Sequence, residues 1–296
     1  MIRPLLSGAL LGSLLLLSGC SGLFYWPDRI LYSRPERVGF SAQEIVFTAA
    51  DGVKLDGWYI PARRRDPSLK IEGPSRPPLG TIIQFHGNAE NISSHYLSLV
   101  WLADYGYNVF TFDYRGYGRS QSSPDQSGTH RDAMAALSKA WELHQNSGAA
   151  NEFIVYGQSL GGAIAMRALE DFPHRDQVSL IVMDSTFVSY QRIAHEKMAR
   201  IWFTWPIQWL APVLVSDEYS AEDALKKSRT SLLVIHDHRD PAVPYDLGEL
   251  TYRESVSPRK EFWTLDQGYH IGIFVDPAYR HLFVDFLRAS DAPVSE

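Results

Sequence analysis

A serine set among glycines, Gly157-Gln158-Ser159-Leu160-Gly161-Gly162, follows the apolar run 153–156 and precedes a stretch rich in alanine and methionine. This is a G-x-S-x-G pattern in a strand–turn–helix setting. The chemistry it suits is nucleophilic. A tight turn must lift Ser159 Oγ clear of the backbone, which calls for glycine at the neighbouring positions, and the start of the following helix favours negative charge developing on a substrate oxygen. Such a serine needs a base to take its proton and an acid to orient that base. His270, in Gly268-Tyr269-His270, follows the last apolar run and is the candidate base. His95, His130, His144 and His195 fall in helical or cap segments, and His174 and His281 lie outside any strand end. For the acid, the segment His236-Asp237-His238-Arg239-Asp240 ends a late apolar run, while Asp184 ends an earlier one. That cluster could also be read as metal ligands, but alternation along a strand turns neighbouring side chains to opposite faces, so no metal site is expected.

These residues need a frame. Short runs rich in Val, Ile, Phe and Tyr occur at 81–85, 108–112, 153–156, 180–183, 232–235 and 262–265, as buried strands should read. Helix-length segments lie between and after them, at about 92–105, 129–146, 160–171, 245–256 and 276–289. The alternation predicts an α/β fold, a mostly parallel, doubly wound sheet with helices on both faces. Ahead of it, 44–48 and 55–60 flank Asp51-Gly52, a hairpin signal. One insertion, 187–218, is too long for a simple crossover and too aromatic for disorder. It carries Trp202, Phe203, Trp205 and Trp209, with Pro206 and Pro212 breaking any long helix. It is expected to form a helical aromatic cap or lid, with Trp202, Trp205, Trp209 and Tyr269 lining an acyl pocket.

Four motifs together resemble the α/β-hydrolase superfamily across residues 44–290: His86-Gly87-Asn88-Ala89-Glu90-Asn91, Asp113-Tyr114-Arg115-Gly116-Tyr117-Gly118-Arg119-Ser120, Gly157-Gln158-Ser159-Leu160-Gly161-Gly162 and Asp184-Ser185-Thr186-Phe187. More narrowly they resemble the Bem46 group and its mammalian ABHD13 and ABHD17 relatives. The resemblance implies a serine hydrolase with Ser159 as nucleophile and His270 as base. It implies Asp240 as the acid, from the family's H-G-x-x-D-x-x-V-P pattern. Asp237 stands where that pattern has glycine and is an alternative acid. The backbone N–H groups of Asn88 and Leu160 would form the oxyanion hole, with His86 fixing their loop and Arg115 bracing its neighbours through an ion pair. The reaction implied is hydrolysis of carboxylic esters or thioesters of acyl or lipid type through an acyl-enzyme, without cofactor or metal. A peptidase of the same fold is the enzymatic alternative, and a non-catalytic envelope scaffold is the alternative from another class.

The first residues carry a separate signal. Arg3 and the apolar stretch 5–17 have the make-up of a secretory signal, too short to span a bilayer. They end in Leu17-Ser18-Gly19-Cys20, which resembles a bacterial lipobox. This predicts a signal peptide over 1–19, lipidation of Cys20, a tether over 20–42 and a catalytic domain over 43–291. The chain would then sit on a membrane of the bacterial envelope, with Ser21 favouring the outer membrane. Cys20 is the only cysteine, so no disulfide supports the fold. The net charge of -6, without a basic block, argues against nucleic acid as a partner. The loop 61–79 holds five basic residues and five prolines and reads as exposed, with membrane contact as a second possibility. Oligomeric state is not readable.

Overall fold

The computed structural model describes residues 24–63, 77–150 and 152–290. The expected signal peptide, Cys20 and most of the loop 61–79 lie outside the described residues.

Eight strands form one sheet: β1 (Gln43–Thr48), β2 (Lys54–Ile60), β3 (Gly80–Phe85), β4 (Tyr107–Phe112), β5 (Glu152–Gln158), β6 (Val178–Asp184), β7 (Ser231–Asp237) and β8 (Lys260–Leu265). Their spatial order is β1-β2-β4-β3-β5-β6-β7-β8. β3 to β8 are parallel, while β2 runs antiparallel to both β1 and β4. This is the mostly parallel sheet predicted by the alternation of strands and helices.

Helices cover both faces because consecutive strand residues are apolar: Ile83 points into one core layer and Ile82 into the other. The helices are α1 (Ile92–His95), α2 (Gln126–Asn146), α3 (Leu160–Asp171), α4 (Tyr190–Arg200), α5 (Ala211–Leu214), α6 (Glu222–Lys227), α7 (Tyr245–Glu254) and α8 (Pro277–Ser290). Residues of α2, α3, α6 and α7 pack in the first layer, and those of the 92–103 segment and α8 in the second. α2 starts where the Asp125 carboxylate accepts the Gly128 N–H at 2.7 Å, an N-cap.

The single helix expected over 92–105 is broken instead. After α1 come two 3₁₀ segments, Tyr96–Ser98 and Val100–Tyr105. The His95 carbonyl accepts from Gln84 Nε2 and from Ser98 Oγ, both at 2.9 Å. Side chains thus compete for the carbonyl that a continuing helix would use.

The cap consists of α4, a 3₁₀ segment Trp205–Leu210 and α5. Its two ends are tied together by Asp217, whose carboxylate accepts from Ser189 Oγ at 2.6 Å and from the Tyr190 N–H at 2.7 Å.

Candidate active site

All the loops that leave the C-terminal ends of β3, β5, β6, β7 and β8 open on one edge of the sheet, where ligands bind in open α/β sheets. Ser159 is the single residue between β5 and α3. It has φ 51° and ψ −122°, a strained conformation that costs about 1–3 kcal/mol in a non-glycine residue and persists only where its surroundings enforce it. Those surroundings are named residues. The Ser159 N–H donates to the Asp184 carbonyl at 2.8 Å, and the Ser159 carbonyl accepts from Thr186 Oγ1 at 2.6 Å and the Gly162 N–H at 3.0 Å. The glycines permit the turn by their size: a Cβ at Gly161 would meet the Phe85 carbonyl, and one at Gly157 would meet Gly162.

Asp240 follows β7 and is buried. Its Oδ1 accepts the N–H groups of Ala242 and Val243 at 2.7 and 2.9 Å, leaving Oδ2 for His270 Nδ1 at 2.7 Å. Burial alone would raise the carboxyl, but the His270 hydrogen bond and charge and the two amides outweigh it and hold Asp240 below the usual carboxylate range. An ionised acceptor at this distance orients the ring through Nδ1 and turns Nε2 away from the carboxylate.

Asp237 has a different partner set. Its Oδ2 accepts the N–H groups of Gln267 at 2.8 Å and Gly268 at 2.9 Å, and its Oδ1 that of Arg239 at 2.8 Å. Burial opposes its ionisation, yet these amides hold it lowered. The structure therefore brings Asp240 to the His270 ring and Asp237 to the backbone of the turn that carries it. Asp184, the third candidate acid, accepts from Tyr156 Oη at 2.8 Å and is raised by burial to about 6.

The turn after β3 holds the expected oxyanion donor Asn88. His86 Nδ1 lies 2.7 Å from the Gly87 carbonyl. A fully buried ring, neutral because burial lowers its basicity, donates there and fixes the peptide whose far side is the Asn88 N–H. The Asn88 carbonyl accepts from the Trp26 N–H at 2.9 Å and Tyr117 Oη at 2.8 Å. Leu160, the other expected donor, opens α3, so its N–H has no carbonyl within the helix to bond. The point where a Gly87 Cβ would stand is 3.7 Å from Ser159 Cβ, which places this turn against the serine.

Arg115 is 3% exposed and spans two carboxylates, Asp132 at 2.8 Å and Asp51 at 2.9 Å, so it braces the loop 113–120 rather than facing the serine. Trp202, Trp205 and Trp209 are 86%, 60% and 68% exposed, and Tyr269, beside His270, is 55% exposed. Among the described residues no group of three or more His, Cys, Asp or Glu side chains is placed to hold a metal ion. Three positioning groups escaped the sequence reading: Trp26 and Tyr117 on the Asn88 carbonyl and Thr186 on the Ser159 carbonyl. Thr186 and Tyr117 stood in quoted motifs, but their hydroxyls bond to backbone carbonyls, and a carbonyl partner leaves no residue-type signature.

The profile of the family described as "Serine aminopeptidase, S33" matches residues 76–222. The protein YfhR of Escherichia coli K12, itself uncharacterised, is 32% identical over 274 residues, covering 91% of this chain and 88% of its own. The chain belongs to the α/β-hydrolase superfamily. The lysophosphatidylserine lipase ABHD12 of Xenopus tropicalis is 28% identical over 223 residues, covering 70% of this chain and 57% of the lipase. Among solved structures, the Pyrococcus furiosus esterase Pf2001 superposes with a TM-score of 0.68 at 23% identity, covering 90% of this chain and 98% of that one. At that identity the likeness is one of fold.

Proposed function

We propose that this α/β-hydrolase is a serine esterase or thioesterase of the bacterial envelope, anchored through lipidated Cys20 and acting on acyl or lipid substrates. The contact between Asp240 Oδ2 and His270 Nδ1 at 2.7 Å, on the sheet edge that also carries Ser159, is the observation that supports it most. His270 Nε2 takes the proton of Ser159 as Oγ attacks the substrate carbonyl. Asp240 stabilises the imidazolium, and the N–H groups of Asn88 and Leu160 receive the oxyanion. Collapse of the tetrahedral intermediate passes the proton from His270 to the leaving alcohol or thiol. Water, deprotonated by His270, then attacks the acyl-enzyme, releases the acid and restores the Ser159 hydroxyl.

Labelling with a fluorophosphonate probe tests the reading. Wild type reacts and Ser159→Ala does not, with turnover of p-nitrophenyl esters lowered on the order of 10⁶-fold. A Ser159→Ala protein with near-wild-type turnover would refute the assignment, and a wild type inert to the probe would make the chain a scaffold. The family description favours a second reading, an aminopeptidase. Recognition of a free amino terminus would need acidic groups in the cap, where Glu196 is the only glutamate between 187 and 217. An aminoacyl p-nitroanilide, run beside p-nitrophenyl esters of increasing chain length, separates the two.

A further inference from the structure

Four of the protein's eight tryptophans are exposed: Trp26, Trp202, Trp205 and Trp209. All four lie at the C-terminal edge of the parallel strands. Trp26 pairs with Ala89, four residues beyond the end of β3, and the other three sit in the cap that follows β6. Within the cap, Phe203 and Val213 are likewise exposed, at 64% and 77%. The cap keeps its fold through Asp217, Tyr190 and Ile193, so its outer aromatic residues serve no core. An apolar patch of this kind on a polar-rimmed surface marks an interaction site.

The chain itself indicates what covers the patch. The Phe24 ring packs edge-on against Tyr190, the first residue of α4, with centroids 5.2 Å apart. Phe24, the first described residue, therefore lies at the foot of the cap. Cys20 is four residues upstream, a reach of about 14 Å at full extension. Lys197 and Arg200 lie in the last turn of α4, just before the aromatic run. Tryptophan at the surface with basic residues beside it is the composition of a segment that settles at headgroup depth.

We infer that the outer face of the cap, together with Trp26, docks on a phospholipid bilayer and turns the active-site edge toward the lipid. The inference rests on the proposed anchoring for the approach of the membrane, but the docking is a property of the folded surface. Acyl chains on Cys20 would hold the protein near a membrane but say nothing of its orientation; a second contact sets it. Acyl substrates would then reach Ser159 from the lipid side.

The test uses protein carrying Cys20→Ser and produced without residues 1–19, so that it has neither acyl chains nor the apolar signal segment, mixed with unilamellar vesicles of phosphatidylethanolamine and phosphatidylglycerol. We expect co-sedimentation with the vesicles and quenching of tryptophan emission by brominated acyl chains. The triple variant Trp202→Ser/Trp205→Ser/Trp209→Ser should lower the partition by about tenfold or more. Trp205→Glu alone, checked for folding by its melting curve, should weaken it in the same direction. No partition of the Cys20→Ser protein, or partition unchanged in both variants, overturns the inference. So does dimerisation that the same substitutions abolish without bromine quenching, which would assign the face to a second copy of this chain. Acylation is read independently from the mass of the native N-terminal peptide, so failure of the anchor and failure of docking are told apart.

Discussion

Asp237 and Asp240, three residues apart, grip one turn from two sides: Asp240 bonds the His270 ring at 2.7 Å, while Asp237 bonds the Gln267 and Gly268 amides at 2.8 and 2.9 Å. In the proposed mechanism the first sets the protonation of the base and the second its placement. Asp240→Asn should lower kcat by about 10⁴-fold with the fold intact, because the amide favours the wrong tautomer. Asp237→Ala should lower stability by about 1–3 kcal/mol for its orphaned amides and cost far less turnover. Kinetics and urea titration of both variants check this; a larger loss of kcat in Asp237→Ala would exchange their roles.

Tyr117 Oη holds the Asn88 carbonyl at 2.8 Å. Tyr117→Phe leaves the Trp26 amide on that oxygen, so the oxyanion turn should loosen without being lost. A fall in kcat well short of the 10²–10³-fold of a missing donor is expected, about tenfold, with KM unchanged. A raised KM at constant kcat would place Tyr117 in substrate binding instead.

Burial raises the Asp113 carboxyl to about 8, assisted by the charges of Asp56 and Asp28 and opposed by the Ile92 amide. An unfolded carboxyl titrates near pH 4, so between about pH 4 and 8 the folded chain holds a proton that the unfolded chain has released. The contribution of this group to stability is therefore full below the unfolded value and is lost as pH rises to about 8. Asp113→Asn keeps a neutral side chain at every pH. Its Tm relative to wild type should climb between pH 5 and pH 8.5, and a flat or falling difference would sink the idea.

Arg115 neutralises Asp132, which is 0% exposed. Arg115→Met should cost about 3–5 kcal/mol, because it strands a buried carboxylate. Asp132→Leu added to it should recover part of that loss, as read by urea denaturation. No recovery would mean that Arg115 acts through packing alone.

Much of the frame was legible because buried parallel strands announce themselves as apolar runs. The run 153–156 grew to Glu152–Gln158 because Gly157 and Gln158 pair through their backbones, whatever their side chains. The break at His95 was not legible, since it depends on Gln84 arriving from a neighbouring strand. The spacing of Ser159 and His270 pointed to the site, whereas the division of labour between Asp237 and Asp240 depends on the turn in which the Asp240 amide bonds the Asp237 carbonyl at 3.1 Å. The tryptophans of the cap could be counted from sequence, but which way they face could not. Periodicity fails over a segment that Pro206 and Pro212 divide into short helical pieces.

The site draws on turns after β3, β5, β7 and β8, so its parts extend from Asn88 to His270 along the chain. During synthesis, a chain whose eighth strand has yet to emerge has Ser159 but not yet His270. If Ser159 and His270 act as proposed, hydrolytic competence waits for the turn that carries His270, and a product truncated before it, however well it folds upstream, is born inert.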